Sequence, residues 1–257
     1  MIVAGVDDAG RGSVLGPLVI AGVSLDERNV PKLVELGVKD SKLLSPKRRA
    51  QLYKEIRKFA SVVVHEKIEP QSIDETVFNG EKLFRLNYLE ARFMARVLFR
   101  LKHFDLAFID CCDTNQSRFG DLVANLLLEQ LFFPNNGRGK TKQQSESPFK
   151  LGAENPLRAK IRSEHHADKN YPVVSAASIV AKVTRDAAIK RLHKKHGKFG
   201  SGYPSDEETV TFLKSFVERA EALPAFTRLS WATVARLYGY GREKMQSRID
   251  DHETPAL

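Results

Sequence analysis

Short apolar runs alternate with amphipathic stretches along most of the chain. Residues 2–7 (IVAGVD) and 17–25 (PLVIAGVSL) are rich in Val, Ile and Leu and too short for helices, so they predict buried strands. The glycine-dense DDAGRGSVLG between them predicts a tight turn and makes the two strands antiparallel neighbours. Ser45-Pro46 starts a helix, Ser as cap and Pro at the first helical position, running to about residue 60. A strand at 61–68 (SVVVHEKI) precedes a long helix over 81–101. That helix sets Leu83, Leu86, Leu89, Phe93, Val97 and Leu101 on one side. Residues 106–111 (LAFIDC) are a strand ending in a carboxylate. A helix over 118–131, a strand near 158–166, and helices over 175–196, 206–222 and within 230–243 complete the pattern. Gly197 stops the helix that starts at Ser175, and GSGYP (200–204) is a turn. Strands interleaved with helices give an α/β class with a mixed sheet.

The pattern fails from Pro134 to about Arg158, a polar stretch without periodicity that predicts a long loop or insertion. Residues 134–162 carry seven Lys or Arg against Glu146 and Glu154. That is over half of the excess left by 41 basic against 32 acidic residues in the whole chain. A basic balance suits a polyanionic partner. Two adjacent cysteines, Cys111 and Cys112, make neither a disulfide framework nor a zinc-ligand spacing. No apolar run approaches the roughly 20 residues of a membrane span, and MIVAGVDDAGRG lacks a signal-type pattern. A cytoplasmic, monomeric protein with no membrane partner is the expectation.

The carboxylates carry the candidate chemistry. Asp7 and Asp8 end the first strand, Asp110 ends a later one, and Asp168 precedes the Ser175 helix. Sites in α/β sheets form at the carboxyl ends of strands. Carboxylates gathered there repel one another unless a cation lies among them, and hard divalent cations take oxygen ligands. Any one of these aspartates alone serves equally well as a turn or cap residue. Gly10-Arg11-Gly12 offers bare backbone and a charged fork to phosphate or sugar oxygens, or is simply a hairpin turn. Lys47-Arg48-Arg49 adds positive charge at a helix start, as phosphate contacts or as a solvated run. His165 and His166, beside Asp168, suit loop packing or substrate handling better than metal ligation.

DDAGRG followed by GPLVIAGV resembles the N-terminal signature of the ribonuclease HII (type 2 ribonuclease H) family. The likeness extends through Asp40-Ser41-Lys42, Leu44-Ser45-Pro46-Lys47-Arg48-Arg49 and Phe108-Ile109-Asp110 with Asp113. It is strongest in HADKNYPVVSAASIVAKVTRD (166–186) and GSGYPSD (200–206), in forms similar to archaeal-type members. The resemblance implies a ribonuclease H-like mixed sheet flanked by helices. It implies a catalytic domain over 1–205, with a C-terminal helical extension and disordered tail over 206–257. It further implies an endoribonuclease that cuts the RNA strand of RNA–DNA hybrids, and single ribonucleotides in duplex DNA, with Mg²⁺ or Mn²⁺, two ions per site once substrate is bound.

Carried over position by position, the family's four acidic residues fall on Asp7, Asp8, Asp110 and Asp168. The ribose-reading Gly-Arg-Gly falls on Gly10, Arg11 and Gly12, the junction-sensing tyrosine on Tyr203, and a phosphate-contacting lysine on Lys42. Two departures stand out. The second acidic position is usually Glu and here is Asp8, one methylene shorter. The 134–158 insertion is not expected of a typical member. A binding protein that has lost catalysis and a DNA-cutting nuclease on a similar fold are the competing expectations. The four carboxylates argue against the first, and Gly10-Arg11-Gly12 with Tyr203 against the second.

Overall fold

The computed structural model describes residues 1–38, 44–79, 85–133 and 155–238. In chain order the elements are β1 (Ile2–Ala9), β2 (Leu18–Asp26), α1 (Val30–Glu35), α2 (Pro46–Phe59), β3 (Val62–Ile68), α3 (Pro70–Asn79) and α4 (Arg85–Leu101). Then follow β4 (Leu106–Asp110), α5 (Gln116–Phe132), β5 (Ile161–Glu164), α6 (Ala167–Asn170), α7 (Pro172–His196), α8 (Glu207–Glu218) and α9 (Ala232–Leu237). The chain divides into two compact units that interleave along the sequence. The first takes residues 1–9, 20–66 and 87–184; the second takes 10–19, 67–86 and 185–257, so it draws on segments well before residue 206.

The first unit is built on the sheet, in the order β3-β2-β1-β4-β5. β1 runs parallel to β4 with Val3 opposite Leu106 and Val6 opposite Ile109, and β4 runs parallel to β5 with Asp110 opposite Glu164. Almost every residue of β2 and most of β1 are buried, as apolar strands covered on both faces must be. Two glycines allow helices to come close. A Cβ on Gly22 would stand 2.4 Å from Val97 of α4, and one on Gly5 would stand 2.4 Å from the Val173 backbone. Only a residue without a side chain lets the first turn of α7 lie against the middle of β1.

The helix ends follow local chemistry. Ser45 caps α2 as expected, its hydroxyl accepting the Arg48 N–H at 3.2 Å with Pro46 behind it. Gly197, at φ +82°, ends α7. α7 begins at Pro172, three residues before the Ser175 start expected, because proline's fixed φ suits the first turn. The Tyr171 carbonyl accepts the N–H groups of Val174 and Ser175 there. α1 and α3 are additions to the sequence reading, each with a proline at its start. Of the 81–101 helix, residues 81–84 lie outside the described residues, as do 134–154 of the expected insertion and the tail from 239. Among the described residues no helix is long and apolar enough to cross a membrane.

The second unit has its own core. Val14, Leu15, Ile189, Phe199, Leu213, Phe226 and Val234 are buried together, with Phe212, Leu192 and Trp231 packed against them. Leu15 bridges to Thr227, and the Gly202 carbonyl accepts from Val14 and Leu15 at 2.8 and 3.1 Å.

Candidate active site

The parallel register of β1 and β4 has a direct consequence. One step beyond Val6 and Ile109 come Asp7 and Asp110, abreast at the carboxyl ends of neighbouring strands, 103 residues apart in sequence. Asp7 is 5 % exposed, and its Oδ1 accepts the Asp8 N–H at 2.7 Å. Burial, and then the negative charge of Asp110, push the Asp7 carboxyl up to about 7. The positive charge of Lys182, the Ser178 hydroxyl and the Asp8 N–H pull the other way. Lys182 Nζ itself donates to Ser178 Oγ at 2.6 Å. These two side chains stand above Asp7 because α7 approaches β1 at Gly5.

Asp110 is half-buried and its Oδ1 accepts the Ala167 N–H at 2.7 Å. That bond ties the end of β4 to the residue before Asp168. Asp168 is 3 % exposed, and its carbonyl accepts the Ser175 hydroxyl. His166 turns the chain into α6 with a left-handed backbone, φ +57°. Asp7, Asp8, Asp110 and Asp168 therefore all belong to the first unit. Among the described residues, no three His, Cys, Asp or Glu side chains already form a cage for a metal ion. Mg²⁺ needs no such cage, since one or two carboxylates complete its shell with phosphate and water. The buried Asp7, facing the charge of Asp110, suits a hard divalent cation, which would offset both the burial and the repulsion that raise its pKa.

Other residues of this unit turn out to be braces. Asp113, 4 % exposed, accepts from the Asn87 amide at 3.0 Å, the Asn115 N–H at 2.9 Å and the Arg118 guanidinium. Burial alone would raise its pKa, but these donors together hold it below the usual value. His165 Nε2 lies 2.6 Å from the Asp113 carbonyl, so it packs this loop. Arg158, counted with the basic insertion, is committed to Asp121 and to the Ile161 carbonyl at 2.8 Å. Arg48 and Arg49 each place one arm on a backbone carbonyl, of Leu36 and Leu44, both at 2.7 Å. Lys42 lies outside the described residues.

In the second unit, Gly10 takes φ +90° and its carbonyl accepts both the N–H and the hydroxyl of Ser13. Gly12 is exposed, with open space where a side chain would begin. The fully buried Arg228 donates to the carbonyls of Arg11 at 2.9 Å and Gly16 at 3.1 Å. Tyr203 follows Gly202, the residue hydrogen-bonded to Val14 and Leu15, so the Gly-Arg-Gly loop and the Tyr203 turn are joined. The Arg185 guanidinium lies 4.5 Å from the centre of the Tyr203 ring.

Sequence reasoning missed Ser178, Lys182, Arg185 and Arg228. Ser175, Ser178 and Lys182, spaced i, i+3 and i+7 in an apolar run, were the available signal for the first two. The buried arginines carry no comparable signature.

The first unit is thus a five-stranded mixed sheet flanked by helices, with carboxylates at adjacent parallel strand ends. The Ribonuclease HII family model matches residues 4–103 and 140–234, with β4 and Asp110 lying between the two stretches. A ribonuclease HII of Cenarchaeum symbiosum is 42 % identical over 231 residues, 90 % of this chain and 95 % of the relative. The crystal structure of ribonuclease H2 from Pyrococcus horikoshii is 34 % identical, with a TM-score of 0.74 over 96 % of this chain and 99 % of that one. The fold alone is shared with Bst-RNase HIII in complex with Mn²⁺, at 17 % identity and a TM-score of 0.69 over 93 % and 70 % of the two chains. The chain belongs to the ribonuclease HII family and is a ribonuclease H, an endonuclease for the RNA strand of RNA–DNA hybrids.

Proposed function

We propose that Asp7, Asp8, Asp110 and Asp168 carry the cut, and that the chain acts on single ribonucleotides in duplex DNA as well as on hybrids. The observation that supports this most is the buried Asp7 abreast of Asp110, its pKa raised first by burial and then by the Asp110 charge. Bound Mg²⁺ or Mn²⁺, two ions with substrate present, supplies activation of water and neutralisation of the leaving 3′-oxygen. Asp7 and Asp110 would hold ions jointly, with Asp8 and Asp168 completing the ligand set. Asp8, shorter than the usual Glu, would need a backbone shift or a bridging water to join that set. Ser178 and the Asp8 N–H fix the Asp7 carboxylate in one orientation, and Lys182 favours its ionised form. Water attacks rather than the 2′-OH, so the products carry 3′-hydroxyl and 5′-phosphate ends.

Recognition rests on the 2′-OH and the A-form shape that separate RNA from DNA. The exposed Gly12 backbone leaves room for a sugar, and in this reading Arg11 contacts phosphate or sugar oxygens, Tyr203 the ribose, and Lys42 a phosphate. The test compares wild type with Asp7→Asn and Asp110→Asn on a long hybrid, a duplex carrying one ribonucleotide, and an all-DNA duplex, in Mg²⁺ and then Mn²⁺. Wild type cuts the first two alone, and both variants lose at least about a hundredfold in rate. Cutting by either variant within a few-fold of wild type under saturating metal overturns the assignment.

A further inference from the structure

Arg185 is 5 % exposed, yet among the described residues its partners are a carbonyl, an aromatic ring and a glycine rather than a carboxylate. Its Nη2 donates to the Ser201 carbonyl at 2.9 Å. Its guanidinium carbon lies 4.5 Å from the centre of the Tyr203 ring. Its Nε and Cδ fill the space beside Gly10, 2.5 and 2.7 Å from where a Cβ would stand. The Nε itself is buried and, among the described residues, has no hydrogen-bond partner. Burying a guanidinium with an unused N–H costs free energy that an apolar side chain of similar length avoids. What an apolar side chain lacks is a flat cation to lie against a ring and a donor to hold a turn.

We infer that Arg185 is a positioning residue: it sets the plane of the Tyr203 ring and locks the Tyr203 turn to the Gly10–Gly12 loop. The inference rests on the reading of those two segments as the ones that meet the ribose. The turn is held at its base, where the Ser201 N–H donates to Asp206 Oδ2 and the Gly202 N–H to Thr209 Oγ1 at 3.0 Å, but not at the ring. Gly200 and Gly202 both take positive φ, at +74° and +82°, and among the described residues the Tyr203 N–H finds the Ser201 hydroxyl alone, at 3.4 Å. Arg185 sits well inside the 25-residue helix α7 and so brings the rigidity of a long helix to a loop. The same side chain touches Gly10, so a shift of the ring and a shift of the Gly-Arg-Gly loop are mechanically linked. An isolated ribonucleotide presents one 2′-OH, and ring and loop must meet it together. A long hybrid presents a 2′-OH at every step and tolerates a misplaced ring. Arg185 therefore acts on substrate choice through Tyr203 and not on the phosphodiester chemistry.

The experiment is a mutant cycle read as kcat/KM on a duplex with one ribonucleotide and on a long hybrid, with a thermal melt of every variant. Arg185→Met keeps the apolar stem, and Arg185→Lys keeps stem and charge but not the plane. Each is expected to lose roughly tenfold on the single-ribonucleotide substrate and less than about threefold on the hybrid. In a Tyr203→Ala background, Arg185→Met should cost less than about twofold more, whereas in Tyr203→Phe the full loss should remain, because stacking needs only the ring. If Arg185→Met melts as an unfolded chain, Arg185→Lys carries the same comparison. Equal losses on both substrates, or an Arg185 effect that persists undiminished in Tyr203→Ala, overturn the inference alone. A Tyr203→Ala enzyme that cuts both substrates like wild type brings down the underlying reading of Tyr203, and the inference with it.

Discussion

Asp7 makes the metal-free protein less stable than it would be with a neutral side chain in the same place. Its carboxyl rises from an ordinary value of 3.8 to about 7, first through burial and then through the charge of Asp110. A folded-state pKa above the unfolded one means that the folded chain holds a proton the unfolded chain has released. Stability is therefore lost as pH climbs from about 4 to about 7, and the loss is complete above that. At about 1.36 kcal/mol for each pH unit, the ceiling is about 4 kcal/mol. Asp7→Asn keeps the shape, the acceptor for the Asp8 N–H and a partner for Ser178, but buries an amide NH₂ that must find acceptors of its own, whereas the attraction of Lys182 is already contained in the value of about 7. Roughly half the ceiling, about 2 kcal/mol, should survive as a net gain at pH 8, or about 4–8 °C in Tm for a chain of this size. The assay is a thermal melt at pH 5 and pH 8, with a chelator and then with Mg²⁺. The variant should melt higher than wild type at pH 8 in chelator, match it near pH 5, and gain little from Mg²⁺, whereas wild type gains. A variant that melts at or below wild type at pH 8 without metal would refute the account of a buried, mutually repelling pair.

The same proton couples to metal binding: below about pH 7 it must leave Asp7 first, so apparent Mg²⁺ affinity, read by titration of cleavage rate, should fall by about tenfold per pH unit. Asp113→Asn should cost about 1–2 kcal/mol in a denaturant melt at pH 7, because the half-exposed Arg118 loses its anionic partner. The depressed pKa of Asp113 means that its contribution is present above about pH 4 and fades below it, so wild type and variant should converge towards pH 2; a gap that persists there counts against this role. Gly5→Ala puts a methyl 2.4 Å from the Val173 backbone and should cost about 1–3 kcal/mol. It should also slow cleavage by moving Ser178 and Lys182 away from Asp7; an unfolding midpoint and rate equal to wild type would contradict the packing described.

Local chemistry in the sequence was enough to locate most elements. Ser45-Pro46 and Gly197 mark their helix ends because capping and glycine's left-handed backbone act within a few residues. Ser175 misled, since a proline three residues earlier starts the helix more effectively than a serine cap. The strand ends pointed to Asp7 and Asp110, but no local pattern could set them side by side. That depends on the register between β1 and β4. Ser178 and Lys182 depend in turn on Gly5 letting α7 descend onto β1. Arg185 and Arg228 look like ordinary helix and loop arginines until the fold buries them against carbonyls and aromatic rings.

The most direct test of the central claim is a single cleavage reaction on a DNA duplex carrying one ribonucleotide, in Mg²⁺, with the ends of the products mapped. The account predicts one cut at the ribonucleotide, leaving a 3′-hydroxyl and a 5′-phosphate, with the matching all-DNA duplex intact and Asp7→Asn inactive. Equal cutting of the all-DNA duplex, a 2′,3′-cyclic phosphate end, or full activity in Asp7→Asn would contradict it.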